Sequence, residues 1–414
     1  MGNNILTRIC LGLFLFSMVA CGGTKVRKDF LSANIEHAAA QFHLQVDALD
    51  KSDKILIPRT VNAKGDMVYA HRGWDWTLGF FPGSLWYLYH LTGDEQWKLE
   101  AEKYTEYLTK EQYNTSHHDI GFIIDCSFLN GLRMGGKEEY KPVVVQAAQS
   151  LSTRYRPGAG IIQSWNANKG RPLKMGWQCP VIIDNLMNLE LLFEATRLSG
   201  DSTYYNIAVS HADKTLENHF REDGSSYHVV DYNPETGEVL KRCTAQGYSD
   251  ESAWARGQAW AIYGYTMCYR YTHRPEYLNL AKKVYEFIFT NSNLPGDLVP
   301  YWDIDALNIP NEPRDVSAAA ITASALYELS VFSGNKECRE TADKIIKTLS
   351  SPAYRAEIGE NHLFLLMHSV GSLPDSAEID VPLNYADYYY LEALGRKRAL
   401  ERKSHENISF AFDN

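Results

Sequence analysis

Acids set among apolar neighbours are the first residues in this 414-residue chain that could do chemistry. In VIIDNLMNLELLFEA, starting at Val181, one carboxylate, Asp184, follows three aliphatic residues and opens an apolar helix. Desolvation there disfavours the charged form and raises the pKa. A carboxylic acid that stays protonated near neutral pH is what general-acid work requires. The plainer role for Asp184 is to cap the helix NLMNLELLFEA. A second acid lies in SHHDIGFIIDCSF, where Asp119 follows His117 and His118 and Gly121 permits a close backbone approach. Asp125, nearer the middle of the same helix, is a third. Read alone, these are also the polar loop residues expected ahead of a core helix.

Two further clusters could hold a ligand. In DESAWARGQAWAIYGY, starting at Asp250, Arg256 and Trp260 are four residues apart and share a helix face. A guanidinium beside an indole can grip a carboxylate and stack a ring; equally, Arg256 can pair with Asp250 or Glu251 while Trp260 fills the core. His228 (SSYHVVDY) and Gln246 (TAQGYSDES) lie upstream. In HRGWDWTLGFFPGSLWYLYHLTGD, Trp74, Trp76, Phe80 and Phe81 crowd a loop–helix junction. They would serve as a sugar platform or close one end of a core.

The elements that position these groups follow from a recurring segment: LTGDEQWKLEA from Leu91, LSGDSTYYNIA from Leu198, YTHRPEYLNLA from Tyr271 and FSGNKECRETA from Phe332. An apolar helix ends at a glycine in the left-handed C-cap conformation. Asp or Asn then caps an amphipathic partner carrying, for example, Ala342, Ile345, Ile346 and Leu349. The unit recurs every sixty or seventy residues, so the chain fits about six helical hairpins. ITASALYELSVF and AWAIYGYTMCYRY read as inner helices, apolar nearly all round. Two layers of helices closed into a ring, an all-α (α/α)6 barrel, satisfy this pattern better than an open solenoid, whose repeats are shorter and more regular.

The formal charge is −10, and no basic run or stripe argues for nucleic acid. An acidic protein that binds anionic sugars needs local positive charge, which Arg256 would supply. Cys126, Cys179, Cys243, Cys268 and Cys338 are scattered and odd in number, so no disulfide framework and no zinc site is expected. At the N-terminus, Arg8 precedes an apolar run ending in Met18-Val19-Ala20-Cys21. This predicts a signal peptide (1–20) of lipoprotein type, with a lipid on Cys21 as the membrane contact of an envelope protein. A short tether (21–29), one catalytic barrel (30–400) and a tail (401–414) complete the expected organisation.

Together, WDWTLGFFPGSLW, HHDIGF, IIDNLMNLELL, WARGQAWAIYGY and EIDVPLNYADYYYLEAL resemble the unsaturated glucuronyl hydrolases of glycoside hydrolase family 88 over most of the mature chain. The resemblance implies an (α/α)6 barrel, Asp184 as general acid/base and Asp119 as its essential partner. It places His228, Gln246, Arg256 and Trp260 in the site, the last two on the substrate's uronate, with Trp74 or Trp76 stacking on the sugar. It implies neither metal nor organic cofactor, and an unsaturated oligosaccharide substrate, with glycosaminoglycan disaccharides preferred. Some family members take a sulfate through Ser-x-x-Ser-x-Lys; here Ser369 and Ser372 are present, but Pro374 stands at the lysine position. The alternatives are an unsaturated rhamnogalacturonyl hydrolase acting on pectin fragments and a non-catalytic sugar-binding lipoprotein.

Overall fold

The computed structural model describes residues 29–402. Cys21 and the signal segment, and the tail past 402, lie outside the described residues. Six inner helices alternate with six outer ones. The inner set is Phe80–Thr92, 120–135, 183–199, Ala255–Thr272, Val316–Ser333 and Asn384–Arg402. The outer set is Phe30–Leu49, Glu95–Tyr107, Lys141–Ser152, Ser202–Asn218, Pro275–Thr290 and Lys336–Leu349. Helix Asn384–Arg402 packs against both Val316–Ser333 and Phe80–Thr92, so the inner ring closes. The expected barrel is present, and its last helix runs two residues past the expected boundary at 400.

The inner and outer helices differ as their sequences require. Val316–Ser333 is apolar on every side and buried along its first fourteen residues. Lys336–Leu349 buries only Cys338, Ala342, Ile345, Ile346 and Leu349, one stripe of a helix that is otherwise polar. Between the two, Gly334 adopts φ 67° and the Asn335 side chain accepts a hydrogen bond from the Glu337 N–H. Gly93–Asp94 and Gly200–Asp201 repeat this turn. Where glycine gives way to His273, Pro275 starts the next helix instead.

These tight turns all fall at one end of the barrel. The long connections fall at the other, where the inner helices begin, and carry the short strands. Pro180–Ile182, Val229–Tyr232 and Val239–Cys243 make an antiparallel sheet with Ile182 opposite Val229. Ser369–Ser372 pairs with Ala377–Val381. Within the barrel, a Cβ on Gly121 would lie 2.4 Å from the Asn188 Cα, so only glycine lets these two inner helices meet this closely.

Candidate active site

Asp184 is the second residue of a 3-10 turn, Ile183–Asn188, that leads into helix Leu189–Ser199. Ile182 occupies the cap position and no side chain caps the turn, so Asp184 is not a helix cap. The residue is 7% exposed and Oδ2 has no hydrogen-bond partner. Burial lifts its pKa to about 7; Arg256 opposes the shift and the charge on Asp119 adds to it. Asp119 goes the other way. Burial alone would raise it, but His118, His117 and Arg154 outweigh that and hold it below the ordinary carboxylate value. His117 Nδ1 and His118 Nε2 each lie 3.3 Å from an Asp119 oxygen. Burial thus pushes one carboxyl up while neighbouring positive groups hold the other down, so the two differ in proton affinity.

The strands bring His228 to this pair. The Ile183 N–H donates to the His228 carbonyl at 2.9 Å, and His228 Nε2 stands 3.7 Å from Asp184 Oδ2. On the other side of the ring, Nδ1 accepts the backbone N–H groups of Ala245 and Gln246, each at 3.1 Å. Burial, then Arg256 and Arg171, hold the imidazole well below its ordinary pKa. It is therefore neutral, with its proton on Nε2 facing Asp184. Gln246 also donates its side-chain amide to the Gly371 carbonyl at 3.1 Å.

Arg256 is almost fully buried, 3.1 Å from Asp315 Oδ2, and donates to the carbonyls of Val370 and Gly371. Its Nε has no partner. Trp260 is fully buried, edge-on to Phe122 and Tyr389, so its ring has no free face for a sugar. Its N–H comes close to Asp184 without closing a hydrogen bond. Arg256 and Trp260, expected as a paired grip on a ligand carboxylate, are both buried, with the Arg256 charge acting on Asp184. Trp76 packs against Phe80, Phe122 and Tyr385, while Trp74 is 63% exposed at the mouth. Of the two, Trp74 is the more exposed and Trp76 is half-buried. Ser369 is fully buried with its hydroxyl unpaired, and Ser372 donates to Asp375 at 2.7 Å.

The cleft above these groups encloses about 540 Å³ and is walled by Trp74, His117, Trp165, Arg171 and Gln246. Asp125 faces a separate cavity of about 340 Å³ at the far end, among Arg133, Glu190, Arg270 and Glu392. Those charges are already paired with one another: Arg133 with Glu190 and Glu194, and Arg270 with Glu190 and Glu328. Asp125 is therefore apart from the Asp184 cluster.

Residues 51–290 match the profile of Glycosyl Hydrolase Family 88. The chain belongs to this family. An unsaturated glucuronyl hydrolase of Formosa agariphila is 47% identical over 83% of this chain and 85% of its own length. An unsaturated chondroitin disaccharide hydrolase of Streptococcus agalactiae is 32% identical over 87% of this chain and 90% of its own. The crystal structure of an unsaturated glucuronyl hydrolase specific for heparin superposes with TM-score 0.85 at 43% identity, covering 90% of this chain and 98% of that one. Family 88 membership makes the chain a glycosidase.

Some residues around this family 88 cleft carry no sequence signal. Arg154 donates to the carbonyls of Thr115, Gln163 and Ser164 and to Asn166 Oδ1, and its charge helps keep Asp119 ionised. Nothing in TRYRPG marks it. Asn188 was visible only as the second asparagine of DNLMN; it accepts the Phe122 N–H at 3.0 Å and donates to His118 Nδ1 at 3.4 Å.

Proposed function

We propose that this glycosidase removes an unsaturated Δ4,5 uronic acid from the non-reducing end of lyase-generated glycosaminoglycan disaccharides. The observation that carries the reading is a buried carboxyl, Asp184, with its pKa raised to about 7 beside Asp119, whose pKa is lowered, and His228 Nε2. The C4=C5 bond of such a sugar is a vinyl ether conjugated to its carboxylate. Asp184 gives its proton to C4, and the positive charge at C5 is shared with the ring oxygen. Water adds at C5, and the carboxylate left on Asp184 takes up the water's proton. The resulting hemiketal opens by breaking the bond between C5 and the ring oxygen. C5 becomes a ketone, and C1, now a hemiacetal, expels the second sugar and becomes an aldehyde.

Asp119 acts through its charge, which raises Asp184 toward the working pH. His228 offers a hydrogen bond and no charge. The charge of the buried Arg256 acts on Asp184, and a substrate carboxylate bound there would meet the same field. Because chemistry begins at C4, the carboxylate spacing that sorts retaining from inverting glycosidases does not apply. Similarity to relatives named for glucuronyl and chondroitin disaccharides supports the substrate class. The export signal read from the first 21 residues suits an enzyme that meets polysaccharide fragments outside the cytoplasm.

The test follows the ultraviolet absorbance of the conjugated double bond. Purified protein is mixed with lyase products of chondroitin, heparin and pectin in parallel. Loss of absorbance on the glycosaminoglycan products is expected. Loss on the pectin product alone would reassign the substrate, and binding without loss on any would make the protein a sugar-binding module.

A further inference from the structure

The mouth of the cleft carries charge that the hydration chemistry does not use. Lys169 and Arg171 line it, on the segment that connects Trp165 to Trp177. Lys169 has no ion-pair partner among the described residues. Arg171 reaches across the opening to the Asp375 carboxylate, in the turn after Ser369–Ser372, and to the Ala245 carbonyl. Asp375 is the one carboxylate lining this cleft among the described residues, so two cations face one anion in a protein of formal charge −10. The same cleft is lined by His117 and Gln246, which touch Asp119 and His228. A sugar whose C4 lies at Asp184 therefore sends its C1, and the unit attached there, out toward Lys169 and Arg171.

We propose that Lys169 and Arg171 form an oxyanion subsite for a sulfate ester on the leaving sugar, with Asp375 as the resting counterion of Arg171. The proposal rests on the hydrolase reading above, in which the leaving sugar of the disaccharide is an amino sugar without a carboxylate; its anionic substituent is then a sulfate. A guanidinium presents parallel N–H groups to an oxyanion, and Lys169 adds a second charge. Binding exchanges one anion for another on Arg171, so Asp375 competes with the sulfate. With Pro374 in the Asp375 turn, the cations come from the opposite wall of the cleft.

The competition gives two substitutions of opposite sign. We would measure kcat/KM for two unsaturated disaccharides that differ only by a sulfate on the leaving sugar. Lys169→Gln should lower the sulfated-to-unsulfated ratio by about tenfold, and Asp375→Asn should raise it. Added salt should erode the preference of the unsubstituted enzyme. Ratios that do not move, or that move the same way in both variants, overturn the subsite. Quenching of tryptophan fluorescence by the sulfated disaccharide, with Trp74 and Trp165 in the cleft wall, reads binding separately. Should the unsubstituted protein consume neither disaccharide, the hydrolase reading falls; weaker binding in Lys169→Gln and tighter binding in Asp375→Asn would still support the subsite, and equal binding would refute it.

Discussion

Asp184 and Asp119 have the same ordinary carboxyl pKa, and the fold separates them. Burial raises Asp184 to about 7, and two histidines with Arg154 keep Asp119 charged. In the proposed reaction the neutral form of Asp184 is the acid, so kcat/KM should fall as pH rises through about 7, while Asp119 stays ionised into the acid range. A pH profile of kcat/KM checks this, and an alkaline limb displaced by two units or more would contradict it. The burial of Asp184 was legible because three aliphatic residues precede it in VIID. The contact of Asp119 with two histidines was legible as HHD. The Nε2 tautomer of His228 was not, since it depends on the N–H groups of Ala245 and Gln246, seventeen and eighteen residues away. Nor was the burial of Trp260, because a four-residue spacing describes a core stripe as well as a binding face.

At the level of elements, the hairpins were readable because a glycine and a capping side chain punctuate three of the turns. The strands were not, being two to five residues long and embedded in loops, too short to show a period. They matter because Ile182 opposite Val229 is what sets His228 beside Asp184. The approach of helices 120–135 and 183–199 is equally exacting. Gly121→Ala should place a methyl against the Asn188 backbone, destabilise the protein by about 1–3 kcal/mol and disturb the contacts of Asn188 with Phe122 and His118. Thermal unfolding and kcat should therefore drop together. A variant equal to the unsubstituted enzyme in both would mean that the helices can separate at no cost.

The whole molecule divides its work between the two ends of one ring. At the far end, buried charges tie all six inner helices together. Tyr87 donates to Glu392, Arg133 meets Glu190 and Glu194, and Arg270 joins Glu190 to Glu328, which also pairs with Arg396. Removing one partner of such a pair strands a buried charge, so the network fixes which helix neighbours which. At the near end, the long connections are free to build a cleft over a rigid floor. This division was only half visible in the sequence: the ring followed from the repeat, but the charged residues of the network are spread from Arg133 to Arg396 with no local motif. The proposed reaction depends on Asp184 delivering a proton to the double bond. The direct measurement is loss of enoate absorbance by Asp184→Asn beside the unsubstituted enzyme, on the same unsaturated disaccharide. The account predicts a fall in kcat of about 10²–10⁴-fold with KM little changed; an Asp184→Asn enzyme that keeps most of its turnover would contradict it.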